Sequence, residues 1–109
     1  TLETAAILAD AFSLRIEEEP ALDEIDFGAW AGKTFAELDS DPRWTEWNVH
    51  RSAARCPGGE TMGEAQSRAL AFVFEAASRH ERPPLLVTHC DIIRALHCWS
   101  ERLSLDRIH

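Results

Sequence analysis

Lysine is nearly missing from this chain: Lys33 is the only one among 11 basic side chains, against 19 aspartates and glutamates and a formal net charge of −8. So acidic a balance excludes a nucleic-acid-binding surface, because a phosphate backbone requires a basic face. No apolar run approaches a membrane span, and the residues after Thr1 do not resemble a signal peptide, so no membrane partner is expected. Cys56, Cys90 and Cys98 form no CxxC pair and cannot all be joined within one chain, which makes a reducing, cytoplasmic setting the expectation. Paired metal-ligand spacing is lacking too. His89-Cys90 and His97-Cys98 are adjacent residues that point in different directions, so no metal is expected. A thiolate phosphate cradle is excluded at Cys90, because only three residues separate it from Arg94, and Cys56 has no arginine at the required distance.

What is present is enough for one domain at most, with a modest core in 109 residues. Thr1 to Phe12 places Ala5, Leu8, Ala9 and Phe12 on one helical face. Leu14 and Ile16 then alternate with polar neighbours, a short strand pattern. Residues 21 to 35 carry Gly28 and Gly32 without a sustained period and read as a structured loop. A short helix is expected over 34–38. Another is expected from Asp41, whose N-cap chemistry is followed by Pro42, to about His50. Thr61 and Glu64 fit a capping box for a long helix to about Arg79, with Leu70, Val73, Phe74 and Ala77 as its buried stripe. Arg79-His80-Glu81 reads as a solvated helix end before Pro83-Pro84. Leu85-Leu86-Val87 is consistent with a parallel strand buried on both faces, and Thr88 to Asp91 turns into a last helix with Ile92, Ala95, Leu96, Trp99 and Leu103 on one side.

This order is α/β, with helices flanking a mostly parallel sheet. Only two strands are legible, too few to cover the helices, so a central part of the sheet is expected to be missing. Both ends read as cut: TLETAAILADAF opens inside an amphipathic helix, and LSLDRIH closes with no turn or cap. Such a piece is expected to expose apolar faces and to self-associate.

Three segments carry chemistry. In LLVTHCDIIRA, His89 ends a buried strand just before a helix, the edge where open α/β sheets bind ligands. The first free amides of that helix, near Cys90 and Asp91, suit an anion, and an imidazole beside them can share a proton with phosphate. The competing reading is a histidine that merely caps the turn. In LDEIDFGAW, Asp23, Glu24 and Asp26 lie among Leu22, Ile25 and Phe27, and a carboxylate pressed against apolar side chains is suited to general acid work. The competing reading is three solvated carboxylates. CPGGET can bring backbone amides such as that of Gly59 close to a ligand, and Arg51 and Arg55 precede it as candidate contacts for an anionic substrate.

Taken in order, these segments resemble the histidine phosphatase (phosphoglycerate-mutase-like) superfamily. LDEIDFGAWAG is similar to its L-x-E-x-D-F-G-x-W-E-G segment, PGGET to its P-G-G-E-S/T loop, and VTHCDIIRA to its V-S-H-G/A-x-V-I-R-A segment. TLETAAILA resembles the stretch directly after the arginine of the family's S-x-L-x-R-A/T-x-E/Q-T-A motif. The resemblance implies a three-layer α/β/α fold, incomplete here, with residues 1–109 as part of one domain whose first strand and R-H-G motif lie upstream. It implies a phosphomonoesterase that passes a phosphoryl group from a small phosphorylated substrate to the R-H-G histidine and then to water. Glu24 matches the proton donor and His89 the second histidine, with Cys90, Gly59 and Arg55 as substrate-binding candidates and no cofactor. The piece alone is expected to be inactive. The alternative is a non-catalytic phosphate-binding or interaction module that has lost its nucleophile. Ala31 and Cys90 depart from the family pattern, where glutamate and glycine or alanine stand. Trp44, Trp47 and the arginines of 33–55 suit sugar phosphates, nucleotides and other small monoesters equally well.

Overall fold

A computed structural model describes residues 1–79 and 81–108. His80, part of the helix end read above as solvated, and His109, the last residue of the closing segment, lie outside them. Among the described residues there are five α-helices: α1 (Leu2–Phe12), α2 (Phe35–Asp39), α3 (Pro42–Val49), α4 (Met62–Arg79) and α5 (Cys90–Ser100). Single 3-10 turns form at Pro20–Leu22, Gly28–Trp30 and Leu105–Arg107.

The caps follow the side-chain chemistry. Asp41 accepts the Arg43 amide at the start of α3, with Pro42 in the first turn. Thr61 and Glu64 form the expected capping box, the Glu64 amide donating to Thr61 Oγ1 at 3.1 Å and the Thr61 amide to Glu64 Oε2 at 3.0 Å. Thr34 and Glu37 form a second box at α2. At the far end Ser104 accepts the Asp106 amide, so LSLDRIH does contain a capped turn, contrary to the expectation.

Two expectations need correction. Among the described residues no β-strand forms, and the single bridge pairs Arg55 with Thr61. Among the described residues, 15–18 and 81–88 make no backbone–backbone hydrogen bond. The physical reason lies between them. A groove of about 570 Å³ separates Leu14–Glu19 from Pro83–Val87, with α1 and Phe72 forming other parts of its wall. A strand needs a neighbour one ladder spacing away, about 4.8 Å, and here that place is open. The other correction concerns α4, whose buried face is Met62, Ala65, Ala69 and Ala76. Phe74 and Ala77, expected inside, are exposed, and Leu70 and Val73 are half-buried. Small side chains on the inner face let α4 approach α5 closely enough for Gln66 Nε2 to donate to the Ala95 carbonyl at 2.6 Å.

One buried cluster joins α3 and the loop before it to the facing sides of α4 and α5, with Trp30, Trp47, Met62, Ala65, Ile92 and Ala95 among its members. Trp47 is 1% exposed, stacked on Trp44 at 5.3 Å and met edge-on by Phe27 and Trp30. The Arg51 guanidinium lies 4.3 Å above the Trp47 ring, a cation–π contact. Trp47 Nε1 has no hydrogen-bond partner among the described residues. Truncating this side chain removes the centre of the cluster, so Trp47→Ala is expected to destabilise the chain by about 3–5 kcal/mol. Trp47→Phe, which also deletes the unpartnered N–H, should cost well under half of that. Chemical denaturation followed by circular dichroism measures both, and equal losses would contradict this account of the core.

Candidate active site

His89 occupies the N-cap position of α5 with extended backbone, yet its side chain caps nothing. Its Nε2 instead lies 3.2 Å from Thr1 Oγ1, the half-buried ring lining the groove. The side-chain cap of the competing reading is therefore not formed. The amides of Cys90, Asp91 and Ile92, at the start of α5, have no hydrogen-bond partner among the described residues. Asp91 draws two arginines to that end of the helix, Arg51 at 3.3 Å and Arg94 at 3.5 Å. Cys90 is exposed as the first residue of the helix.

The loop bearing Glu24 meets this segment through Thr88, whose hydroxyl donates to the Leu22 carbonyl at 2.5 Å. Leu22 and Asp23 line the groove beside His89. Glu24 itself is half-buried between buried Leu22 and Ile25, while Asp23 and Asp26 are exposed. The three acidic residues thus divide: Asp26 caps the Gly28 amide at 2.8 Å, and Glu24 accepts the Ile25 amide at 3.0 Å. Thr88 and Leu22 bring the candidate acid and the candidate histidine onto touching segments.

CPGGE packs against another loop. Its backbone lies directly against that of 26–29: the Ala29 amide donates to the Pro57 carbonyl at 2.8 Å, and the Glu60 amide to the Asp26 carbonyl at 2.9 Å. A Cβ on Gly59 would collide with the Asp26 carbonyl oxygen, and one on Gly28 with the Pro57 carbonyl oxygen. Gly59 is thus required by loop-on-loop packing. The Gly59 amide is spent on the Cys56 carbonyl at 2.9 Å, so its expected role as a substrate-binding donor is not supported. Arg55 is committed too, holding Glu64 with two nitrogens, at 2.8 and 2.5 Å, and the Gly59 carbonyl at 2.9 Å. Neither residue lines the groove with His89. Burial pushes the Cys56 thiol up to about 11, which makes it an inert core residue.

Sequence reasoning missed Arg68 and Glu60. Arg68 sits on the inner side of α4 beside Ala65 and Ala69, and a charged side chain inside such a stripe is a signal for a buried partner. Its partner is the Glu60 carboxylate, bound at 2.9 and 3.0 Å.

The family model for the histidine phosphatase superfamily (branch 1) matches residues 1–109. The chain belongs to the histidine phosphatase superfamily. It is 30% identical over 104 residues to phosphoserine phosphatase 1 of Hydrogenobacter thermophilus, covering 90% of this chain and 48% of that protein. Among solved structures it is similar to Bacillus stearothermophilus YhfR, with a TM-score of 0.85, 32% identity, and coverage of 98% of this chain and 55% of the other. It is also similar to the mycobacterial glucosyl-3-phosphoglycerate phosphatase Rv2419c, solved with inorganic phosphate, with a TM-score of 0.80, 26% identity, and coverage of 96% and 56%. The chain spans about half the length of these relatives. Its helices and loops therefore follow the histidine phosphatase fold over the matched region. Among the described residues no helix is long and apolar enough to cross a membrane.

The carboxylates of the laced loops give a pH dependence. Arg55 and the Thr61 amide hold Glu64 down at about 2 against its ordinary 4.5, and Arg68 holds Glu60 below its ordinary value. A carboxyl whose proton affinity is lowered by folding contributes stability above its unfolded pKa and loses it as pH falls through the folded one. Thermal stability should therefore fall as pH drops from about 4.5 to about 2. Glu60→Gln should melt lower at neutral pH and lose less on acidification than the unsubstituted chain. Parallel melting curves against pH for the two proteins would contradict this assignment.

Proposed function

We propose that this chain carries the acid and phosphate-binding half of a cytoplasmic phosphomonoesterase that works through a phosphohistidine. The observation that carries the reading is the placement of His89. An uncapped imidazole faces the groove beside three unpartnered amides of α5, and Thr88 ties it to the loop of Glu24. An anion at that helix start gains from the amides and the helix dipole together. In this reading the nucleophilic histidine comes from a segment ahead of Thr1, and strands of that segment fill the groove. Residues 14–18 and 85–87 then pair along them and complete a three-layer α/β/α fold, a reading supported by the absence of backbone–backbone hydrogen bonds at 15–18 and 85–87 among the described residues. His89 holds the phosphoryl group and offsets its charge during transfer. Glu24 gives a proton to the leaving oxygen. Phosphoserine and glucosyl-3-phosphoglycerate, named in the relatives, are small phosphate monoesters, and a substrate of that class is proposed here. The three unpaired thiols fit a reducing compartment.

Joining the R-H-G-bearing N-terminal segment of a histidine phosphatase relative ahead of Thr1 tests this directly. The joined protein should hydrolyse p-nitrophenyl phosphate, whereas the 109-residue chain alone should not. His89→Ala and Glu24→Gln should each lower kcat of the joined protein by about 10²–10⁴-fold. Hydrolysis by the chain alone, or a joined protein indifferent to His89→Ala, would refute the reading.

Left open, the groove presents apolar rims at Leu14, Ile16 and Leu85, each at least 45% exposed. We propose that the isolated chain self-associates through them. Sedimentation velocity should show species larger than a monomer that Ile16→Lys disperses; a monomer across the concentration range would contradict it.

A further inference from the structure

The guanidinium of Arg68 uses all five of its N–H groups on one target region. Nε donates to Glu60 Oε1 at 2.9 Å, one terminal nitrogen to the carbonyls of Ala21 and Asp23 at 2.9 and 2.8 Å, and the other to the Glu24 carbonyl and Glu60 Oε2 at 3.1 and 3.0 Å. Glu60 Oε2 in turn accepts the Asp26 amide at 3.0 Å, and the Glu60 amide donates to the Asp26 carbonyl. Both sides of Glu24 are thus fixed, one by Arg68 and the other by Glu60. The anchor is α4, an 18-residue helix whose inner face is packed against α5. Arginine and glutamate side chains here are about three-quarters buried, where hydrogen bonds to charged groups are strongest.

From this geometry we infer that Arg68, with Glu60, is a positioning residue that sets the place of the Glu24 carboxyl against the leaving oxygen of the substrate. The inference rests on the reading of Glu24 as proton donor and assigns that donor its support. Arg68 touches main chain at 21, 23 and 24 without touching the Glu24 carboxyl, so its effect on chemistry passes through where the loop stands. Lysine is no substitute, because an ammonium has three donors and no planar fork. A general acid displaced by an ångström still lets substrate bind, and it slows the step in which the leaving oxygen needs a proton. The loss therefore depends on the leaving group: phenolate needs the proton far more than p-nitrophenolate does.

The test compares Arg68→Met, Arg68→Lys and Glu60→Gln in two settings. In the 109-residue chain, hydrogen exchange of the Ile25 and Asp26 amides should accelerate about tenfold or more in Arg68→Met, beyond the change at Ala95 and Ile93 in α5. In the joined protein described above, Arg68→Met should lower kcat for phenyl phosphate about tenfold more than kcat for p-nitrophenyl phosphate. KM should stay within about twofold for both, and Arg68→Lys should recover part of the loss. Leu105→Ala, in the turn after α5, serves as a control of matched melting temperature and should slow both substrates equally. Equal losses for the two substrates in Arg68→Met, or a loss matched by that control, would overturn the inference, as would unchanged exchange at Ile25 and Asp26. If Arg68→Met does not fold, Arg68→Lys and Glu60→Gln carry the same comparison. A joined protein with no hydrolysis at all would overturn the enzymatic reading instead, while the exchange data would still decide whether Arg68 holds the loop.

Discussion

The contact between residues 26–29 and 57–60, clamped by Arg68 and Glu60, is the constraint on which the rest of the arrangement depends. Two irregular segments, 34 residues apart at the Asp26–Glu60 pair, have no sheet to hold them. They hold each other through main-chain hydrogen bonds, through two glycines that permit the approach, and through an arginine with no donor left over. Everything chemically interesting hangs from that joint. Glu24 lies just ahead of it, its carbonyl held by Arg68, Thr88 ties the same loop to the segment that carries His89, and the capping box of α4 starts at its edge.

Above this joint stands a second, softer layer. The helices α2 and α3 rest on Trp30, Trp44 and Trp47, joined by ring contacts and by Arg51, which reaches across to Asp91 at the start of α5. The layer is apolar beneath, where Ile92 shares its buried cluster, and charged at its border, where Arg51 carries an ion pair to the helix start. The lower joint is built from backbone, the upper layer from side chains.

Much of this was legible in the sequence, and the parts that were not have physical causes. The helices were readable because their ends carry local signals: Asp41-Pro42, Thr61 with Glu64, and the break at Pro83-Pro84. Glu24 and His89 could be singled out because each stands at a break in the apolar pattern. The strands failed because strand formation is a two-body property, and apolar 85–87 has no neighbour in the groove. The face of α4 was misjudged because Leu70 and Phe74 are more apolar than Ala65 and Ala69, although the alanines are what permit close approach. Gly59 and Arg55 were read as candidate ligand contacts because Gly-rich and Arg-bearing loops look alike whether they meet a phosphate or, as these two do, another part of the chain. Arg68 was missed because three of its five hydrogen bonds go to carbonyl groups, which every residue has and no composition records.

The backbone character of the joint has a consequence for how such a protein can change over generations. Where Gly28 and Gly59 face one another's loops, a mutation at either collides with a carbonyl oxygen, and no second mutation in a side chain can move that oxygen away. Those two positions are closed to drift, singly and together. The tryptophan layer is different, since a ring lost from one position can be answered by a larger neighbour at another. Under the proposed reading, in which Glu24 is the proton donor and 33–55 borders the substrate, preference for one substrate can wander across 33–55 while the loop of Glu24 stays fixed.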